Sequence, residues 1–362
     1  MWQTILTTVF MYDYIIVGQG ICGTFLSWNL VKEGKKVLVI DESQPFSSTK
    51  VASGVINPVT GRQVVTTWMA DDLLPFVLKE CHDIGSDIGV MVIFQKNIQS
   101  FPPSLQMRQM YDKKIDENNF IQPVPEVTLT KYQQYFNFMY GCIQIDPCYF
   151  IDLHTLLKGW RQQLKDKDAL LEERFDSSKL TINASSVVYE NHTAEKLIFC
   201  NGINAYSEPY WSRLPYVMNK GQALVVDIPD LPQDVIYKFG AMTFVPWYDN
   251  LWWVGSSYEN DFENSLPSEG FRKNTETALK NVLKLPFTIC DHIAGIRPAT
   301  VERRPFVGLH PQKPSIGIFD GMGTKGCSLA PYFAHQLTQH LLHGTPINAE
   351  GDVSRFAKVL AR

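Results

Sequence analysis

Residues 12–42 read YDYIIVGQGICGTFLSWNLVKEGKKVLVIDE, and the order of elements in this stretch decides the fold. The apolar run at 14–17 is short and unbroken, which predicts a parallel strand buried on both faces. A helical run follows at 24–32, and Gly34 stands where a left-handed cap would end it. Residues 37–40 form a second apolar run. The stretch therefore predicts a strand–helix–strand unit.

Three glycines, Gly18, Gly20 and Gly23, lie in the turn between the first strand and the helix. In a G-x-G-x-x-G motif the first glycine allows a tight turn, the second admits a pyrophosphate, and the third lets the helix pack on the strand. Ile21 and Cys22 lie in the same turn, where a helix N-terminus directs its N–H groups at an anion. The motif predicts a site for an ADP-containing dinucleotide. The alternative is an ordinary crossover with three accidental glycines.

An acidic residue, Asp41, ends the second strand about 20 residues after the motif, where a carboxylate accepts hydrogen bonds from ribose hydroxyls. Glu42 follows it and belongs to the same predicted site. Since the position holds an acid rather than an arginine, a 2′-phosphate is disfavoured. FAD or NAD is therefore favoured over NADP.

Composition bounds the class of protein. The 362 residues fit two domains better than one. The chain is 45% hydrophobic and 19% charged with a formal net charge of −4, so bulk charge gives no indication of a nucleic-acid partner. No segment approaches the roughly 20 apolar residues that span a bilayer. We therefore expect a soluble protein.

The seven cysteines include no C-x-x-C pair, which favours neither a disulfide framework nor a zinc site. We expect free thiols, a cytoplasmic location and no metal. Residues 1–10 lack the basic start and length of a signal peptide. Met11 is therefore an alternative start of the chain.

The pattern changes twice along the chain. From about residue 90 it becomes aromatic-rich with short, predicted antiparallel strands, and the helical period and buried strands return after residue 150. One such strand ends in a turn at Asn201 and Gly202. We predict an α/β fold, α+β overall, with two discontinuous domains: a nucleotide-binding domain of residues 11–89, 150–215 and 293–362, and an antiparallel-sheet domain of residues 90–149 and 216–292.

Two further loops contain residues suited to a cofactor. The loop after Asp41 is rich in hydroxyls and small residues whose backbone N–H groups would reach phosphate or flavin, although an ordinary surface loop has the same composition. Its candidates are Ser48, Thr49, Ser53, Gly54 and Val55. A second glycine-rich turn, residues 320–326, precedes a helix predicted at 330–342, as a large cofactor lying across the sheet requires.

Four blocks resemble the D-amino-acid oxidase family of FAD-dependent oxidoreductases, which includes glycine oxidase, sarcosine oxidase and D-amino-acid dehydrogenase. The blocks are the N-terminal motif, residues 52–57, residues 220–222, and residues 295–308 with 321–331. The resemblance implies a GR2-type, Rossmann-like FAD-binding domain and a second, antiparallel-sheet substrate domain. It also implies oxidation of the C–N bond of an amino acid or secondary amine by hydride transfer to flavin N5.

The resemblance also implies roles for individual residues. Arg297 falls on the arginine that clamps the substrate carboxylate, and Lys325 matches a carboxylate-binding lysine of the sarcosine oxidases. A salt bridge within the sheet and a solvated turn are the alternatives for these two. Thr243 and Tyr258 fall on pocket-lining strand positions, and Phe175 on the strand whose backbone meets the adenine. The turn beside the isoalloxazine comprises Gly321, Met322, Gly323, Thr324, Lys325 and Gly326.

Some positions depart from the family pattern. Thr243 stands where glycine oxidase has a pocket tyrosine, and Thr324 where it has a second arginine, so glycine specificity is not implied. No cysteine or histidine stands at the flavin-tethering positions, which favours non-covalent FAD. The electron acceptor, O2 or another, and the oligomeric state stay open. Two alternatives remain: a tRNA wobble-uridine oxidase that removes a carboxymethyl group, and a flavin-binding regulatory protein without activity.

Overall fold

The computed structural model describes residues 10–61 and 63–362, without the side chains of residues 10 and 11. Of the two alternative starts, Met1 lies outside this range and Met11 lies within it; the choice between them stays a prediction. The strands are β1 (Phe10–Val17), β2 (Val37–Ile40), β3 (Val55–Ile56), β4 (Val59–Thr60), β5 (Val65–Thr66), β6 (Ile93–Gln95), β7 (Ile98–Phe101), β8 (Ile121–Pro123), β9 (Ile143–Ile145), β10 (Tyr149–Ile151), β11 (Leu170–Leu171), β12 (Leu180–Ile182), β13 (Val187–Tyr189), β14 (His192–Phe199), β15 (Tyr216–Asp227), β16 (Ile236–Phe239), β17 (Met242–Pro246), β18 (Trp252–Gly255), β19 (Thr288–Thr300), β20 (Phe306–His310) and β21 (Lys313–Asp320).

Helices connect and flank these strands. The α-helices are α1 (Ile21–Lys32), α2 (Ala70–Asp87), α3 (Leu105–Lys114), α4 (Glu126–Tyr132), α5 (Leu153–Asp166), α6 (Glu269–Val282), α7 (Gly326–His343) and α8 (Ala357–Leu360). Short 3₁₀ helices lie at Ser177–Lys179, Gly202–Ser207, Tyr248–Asn250 and Val353–Phe356. None of the helices in the described part of the chain is long and apolar enough to cross a membrane.

The chain divides into two compact units, each made of separate segments. The first unit comprises the chain up to Lys50, His154–Met218 and Arg297–Arg362. The second comprises Val51–Leu153 and Asn219–Ile296. The division differs from the predicted one, because residues 51–89 fall in the second unit instead of with the glycine motif. The physical reason is strand pairing: β3 pairs with β10, which also pairs with β6.

A parallel sheet forms the centre of the first unit. Its parallel strands run in the order β11–β2–β1–β14–β21. β20 adds to β21 and β13 to β14 in antiparallel register, with β12 beyond β13. Because parallel strands align their carboxyl ends, the residues that follow β1, β2, β14 and β21 all lie at one edge of the sheet. That edge carries the glycine motif, Asp41, Asn201 and the second glycine turn.

Helix α1 of the first unit is buried along most of its length. Its residues from Ile21 to Leu30 are all buried, so it has no polar face, as is typical of a helix packed on several sides. Helix α7 packs against it. Gly34 follows α1 with a φ of +73°, in agreement with the predicted left-handed cap.

A mostly antiparallel sheet forms the centre of the second unit. Its order is β19–β15–β18–β17–β16–β7–β9–β8, and β16 pairs with β7 in parallel register. Alternate side chains of β15 and β18 enter two hydrophobic clusters: Val225 and Trp253 belong to one, and Leu224 and Val254 to the other. Since neighbouring residues of a strand point to opposite faces, the two clusters cover the two faces of this sheet.

Several element boundaries differ from those predicted. Phe175 was expected on a strand, but β11 ends at Leu171 and Phe175 lies outside any strand. The helix expected to begin at Ala330 begins at Gly326, directly after the second glycine turn. Strands β16 and β20 were not predicted, because Tyr237–Lys238 and Gly308 interrupt the apolar alternation on which a sequence-based assignment relies.

Candidate cofactor and substrate site

The first glycine turn is shaped by contacts that exclude side chains. Gly18 has a φ of +96°, and a Cβ there would lie 2.6 Å from the Cys200 carbonyl oxygen. A Cβ on Gly23 would lie 1.8 Å from the Gly18 carbonyl oxygen. Gly20 is less confined, since its Cβ would first meet the Thr49 Oγ1 at 3.2 Å. The turn therefore keeps its backbone uncovered at Gly20, where the motif places an anion.

Asp41 lies at the centre of a hydrogen-bond network beside this turn. Its Oδ2 accepts the Gln19 N–H at 2.8 Å, and its Oδ1 accepts the Ser43 N–H at 2.8 Å. Arg161 donates to the same Oδ1 at 2.8 Å and to the Gln19 side-chain oxygen at 2.8 Å. The predicted ribose acid is thus held by two backbone amides and a guanidinium. Glu42, also assigned to this site, is exposed.

Arg161 was missed by sequence reasoning, although a signal was present. It lies on α5 between Leu157 and Leu164, both buried, and residues three or four apart share a helix face. Its side chain is only 15% exposed. A cation on the buried stripe of an amphipathic helix needs an anionic partner, and the parallel sheet supplies Asp41.

The hydroxyl-rich loop after Asp41 divides between the two units. Thr49 is buried in the first unit, where its Oγ1 accepts the Ile21 N–H at 3.1 Å at the start of α1. Ser48, the residue before Thr49, is half-buried. Ser53, Gly54 and Val55 belong to the second unit. The first unit therefore contains only part of the predicted loop site, namely Ser48 and Thr49.

The second glycine turn contacts the end of β19. The Gly323 N–H donates to the Pro298 carbonyl at 3.1 Å, and a Cβ on Gly323 would meet the Ala299 side chain at 3.4 Å. Pro298 directly follows Arg297, so the predicted carboxylate clamp and the turn bearing Lys325 are neighbours within the first unit. Arg297 and Lys325 are both half-buried. Met322 is buried in this turn, whereas Thr324 is exposed.

Asp320 is a buried acid that sequence reasoning did not select. It is 2% exposed and ends β21; its Oδ1 accepts the Gly321 N–H at 2.7 Å, and the Tyr216 hydroxyl donates to its Oδ2 at 3.3 Å. Burial raises the pKa of Asp320 to about 8. The thiols of Cys22 and Cys200 lie within electrostatic range, and burial raises the pKa of each well above its usual value. The buried surroundings of Asp320 therefore favour neutral groups.

The Asn201–Gly202 turn lies against the first glycine turn. The Cα of Asn201 would be 3.1 Å from a Cβ on Gly18. Its Nδ2 donates to Glu208 at 3.3 Å, while its buried Oδ1 has no partner in the described part of the chain. A buried acceptor without a donor costs about 1–3 kcal/mol. A ligand donor at this place would satisfy it.

Phe175 packs in the core of the first unit. Its ring stacks on Tyr189 at 4.9 Å and meets Phe199 edge-on at 5.7 Å. The assignment of its backbone to an adenine stays a prediction.

Thr243 and Tyr258 of the second unit have different environments. Thr243 lines a cavity of about 230 Å³, together with Ser53 and Val55 of the predicted loop. Tyr258 does not line this cavity; it lies beyond the end of β18 and is 58% exposed. The expectation that Tyr258 occupies a strand position was therefore wrong. Across residues 10–61 and 63–362, no group of three or more His, Cys, Asp or Glu residues is arranged to hold a metal ion.

A family comparison assigns this architecture. Residues 13–340 match the family described as FAD dependent oxidoreductase, DAO. The chain belongs to this family. The assignment confirms the resemblance noted in the sequence and the mixed α/β fold, and it makes the protein an FAD-dependent oxidoreductase.

Two relatives match most of this chain at low sequence identity. The uncharacterized oxidoreductase YurR of Bacillus subtilis is 21% identical, over 92% of this chain and 95% of its own length. The tRNA 5-methylaminomethyl-2-thiouridine biosynthesis bifunctional protein MnmC of Psychrobacter cryohalolentis is also 21% identical over 92% of this chain. The DAO chain described here spans only 54% of that protein's length.

Solved structures share the fold. Iminodiacetate oxidase from Chelativorans sp. BNC1 superposes with a TM-score of 0.76 at 17% identity, over 93% of this chain and 97% of its own. Glycine oxidase from Geobacillus kaustophilus gives a TM-score of 0.75 at 16% identity, over 96% and 98%. L-proline dehydrogenase from P. horikoshii gives 0.75 at 14% identity, over 96% and 98%. At these identities the likeness shows a common fold.

Proposed function

We propose that this protein uses non-covalent FAD to oxidise the C–N bond of an amino acid or a secondary amine. The observation that carries the proposal is the backbone contact between Pro298 and Gly323, which brings the Arg297 strand to the second glycine turn. A fixed cation beside a cofactor-binding turn suits a substrate that has a carboxylate next to its reacting carbon. Three solved relatives of the same fold are named for acting on iminodiacetate, glycine and L-proline.

The residues at the sheet edge fit FAD. The uncovered backbone at Gly20 and the N-terminus of α1 suit the pyrophosphate, and Asp41 suits a ribose. Asn201 offers a buried acceptor without a partner among the described residues. Gly321–Gly326 would lie beside the ring system. When bound, FAD would supply the acceptor for the hydride, which carries both electrons that leave the substrate.

Non-covalent attachment is supported by the thiols near the two turns. Burial raises the pKa of Cys327, directly after Gly326, to about 12. The thiols of Cys22 and Cys200 are buried, and burial raises their pKa values. Since the thiolate is the nucleophilic form, these cysteines are poorly suited to form a flavin thioether.

Arg297 would bind and orient the substrate. A guanidinium holds a carboxylate through two parallel hydrogen bonds, which fixes the neighbouring Cα–H bond in direction as well as position. Orientation of this kind supplies much of the rate enhancement of a reaction. The substrate loses a hydride from carbon and a proton from nitrogen to give an imine. Water then cleaves the imine to an oxo acid and ammonia or a primary amine, and O2 or another acceptor takes the electrons.

The test is an anaerobic absorbance titration of the purified flavoprotein with D-amino acids, glycine, sarcosine and proline. Bleaching of the flavin band by one class of amine is the expected result. Arg297→Ala should lower kcat/KM for that class by about 30-fold or more, the equivalent of about 2 kcal/mol for a lost charge partner. Arg213→Ala, which removes an exposed arginine of the same unit, is the matched control. Flavin that no amine reduces, but dithionite does, would favour a regulatory flavoprotein.

A second candidate is oxidation of a modified uridine in tRNA. The observation that favours it is the match to MnmC over 92% of this chain. It differs from the first in substrate size, because the amine would be part of a folded RNA. Flavin reduction by tRNA carrying a carboxymethylaminomethyl uridine, with no response to free amino acids, would support this candidate.

A further inference from the structure

The cavity of the second unit contains a lysine on one face of the sheet. Lys238 on β16 pairs with Thr243 on β17, which pairs with Gly255 on β18. Directly opposite residues of neighbouring strands point to the same face. Lys238, Thr243 and Gly255 therefore form a row across the sheet, and all three line the cavity. Gly255 adds no side chain to the row, and a Cβ there would lie 2.9 Å from the Gln222 carbonyl oxygen.

The neighbours of Lys238 along its strand point the other way. Tyr237 is buried in the aromatic cluster on the opposite face, with its ring tilted against those of Phe136 and Trp252. The alternation fixes the side on which Lys238 lies. The strand register thus determines which side chains face the cavity. A one-residue slip would put an aromatic ring in the place of Lys238.

Lys238 has no carboxylate partner in the part of the chain that the structure describes, since no salt bridge or side-chain hydrogen bond to it is found. The titratable group that interacts with it is the Cys148 thiol. Burial raises the pKa of Cys148 to about 12, so this thiol is neutral near pH 7 and gives no counter-charge. Burial also lowers the pKa of Lys238. A partly buried ammonium without an anion is costly, and a bound anion would offset that cost.

Other cavity groups complement an anion. The hydroxyls of Thr243 and Ser53 line the cavity and can each donate one hydrogen bond. The Asn57 Oδ1 accepts the Val59 N–H at 2.9 Å, which leaves its amide NH2 as a donor. The volume of about 230 Å³ corresponds to roughly seven water molecules at their liquid volume. A carboxylate with a short carbon chain fits this space.

We propose that this cavity of the second unit is a carboxylate subsite, with Lys238 as the counter-charge and the Thr243 and Ser53 hydroxyls as donors. The inference rests on the proposed function. It narrows the substrate class to amines that carry a carboxylate able to bind in this subsite. The carboxylate comes either from the α position or from a second acidic group, and the experiment separates the two sources.

The experiment compares four forms of the intact flavoprotein: wild type, Lys238→Gln, Lys238→Arg and Lys96→Gln. Lys96 is the control, a partly buried lysine of the same unit whose Nζ donates to the Gln233 carbonyl. Anaerobic flavin reduction is measured with dicarboxylic amines (iminodiacetate, aspartate, glutamate) and with monocarboxylic ones (glycine, sarcosine, proline). Calorimetry with malonate and succinate reports binding without chemistry.

A loss of about 20-fold or more in kcat/KM on Lys238→Gln, with partial recovery in Lys238→Arg and little change in Lys96→Gln, supports the subsite. If the loss is confined to dicarboxylic amines, the subsite holds a second acidic group; if all amines lose equally, it holds the α-carboxylate. If the subsite holds a second acidic group, Lys238→Gln should also weaken the binding of malonate or succinate by a similar factor. Equal behaviour of Lys238→Gln and Lys96→Gln in both measurements overturns the proposal. Lys238-dependent dicarboxylate binding to a flavoprotein that no amine reduces would keep the subsite and reject the proposed function.

Discussion

Arg161 and Asp41 form an ion pair at the carboxyl edge of the parallel sheet, with the Arg161 Nη1 2.8 Å from the Asp41 Oδ1. The side chains are 15% and 20% exposed, so solvent screens the pair less than it screens an ordinary surface pair. Arg161 also donates to the Asp41 carbonyl at 3.1 Å and to Glu172 at 3.0 Å. The predicted ribose acid is therefore held in place by the protein's own groups.

Replacing Arg161 tests whether this fixed geometry contributes to flavin binding. Arg161→Ala leaves Asp41 with its two backbone donors but without the guanidinium, and we expect the Kd for FAD to rise about 10-fold, about 1.4 kcal/mol. Titration of apoprotein with FAD, followed by flavin fluorescence, measures it. Arg108→Ala removes a comparable 2.8 Å arginine–aspartate pair of the second unit. The same Kd for both variants and the wild type would show that Arg161 has no part in flavin affinity.

The buried acid Asp320 predicts a dependence of stability on pH. Its pKa is about 8 in the folded protein against an ordinary value of 3.8, so between these values the folded state holds a proton that the unfolded state releases. The free energy of unfolding therefore falls as pH rises from about 4 to about 8, by up to about 1.4 kcal/mol per pH unit. The stabilisation is complete below the ordinary pKa of 3.8 and is lost above the folded-state pKa of about 8.

Asp320→Asn should remove that dependence, because the amide copies the protonated carboxyl and can still accept the Gly321 N–H. Urea unfolding at pH 6 and pH 8 is the measurement. We expect the free energy of unfolding of the wild type to fall between pH 6 and pH 8. That of Asp320→Asn should fall less, by up to about 2.7 kcal/mol. Asp261→Asn, at an exposed aspartate, should keep the wild-type slope. Parallel slopes for wild type and Asp320→Asn would contradict a neutral Asp320.

The close contact at Gly23 predicts that no side chain is tolerated there. The Cβ of Gly23→Ala would lie 1.8 Å from a backbone oxygen, so the turn or α1 must move, at a cost of at least about 1–3 kcal/mol. We expect a lower Tm and loss of bound flavin, measured by thermal unfolding and the ratio of flavin to protein absorbance. Gly270→Ala, in α6 with no atom within 4 Å of its Cβ, should keep both or gain up to about 1 kcal/mol from helix propensity. Wild-type flavin content in Gly23→Ala would contradict the packing argument.

Cysteine exposure predicts a single fast-reacting thiol. Cys290 is exposed, Cys327 is partly buried, and the other cysteines are buried. Because thiol reagents attack through the thiolate, and burial raises the pKa of Cys142, Cys148 and Cys327, these should react only on unfolding. A DTNB time course should show one fast thiol in native protein, absent in Cys290→Ser but present in Cys81→Ser. Several fast thiols in the native protein would be inconsistent with the described burial.

The sequence by itself determined the local unit of the fold. Strand β1, helix α1, the cap at Gly34 and strand β2 follow one another within residues 10–40, and their glycine, apolar and capping signals act between near neighbours. The second glycine turn and Arg297 were recognisable for the same reason, as short motifs within one segment. The resemblance to the family that was noted from the sequence rests on these local blocks.

Only the tertiary structure decided which distant residues meet. Arg161 reaches Asp41 across 120 positions, residues 51–89 join the second unit through the pairing of β3 with β10, and Lys238 faces a cavity because β16 pairs with β17 in one register. Each of these depends on strand pairing or side-chain contact between segments far apart in sequence. No local propensity encodes such a partner, because many distant residues can satisfy the same pattern, and packing and register select one of them.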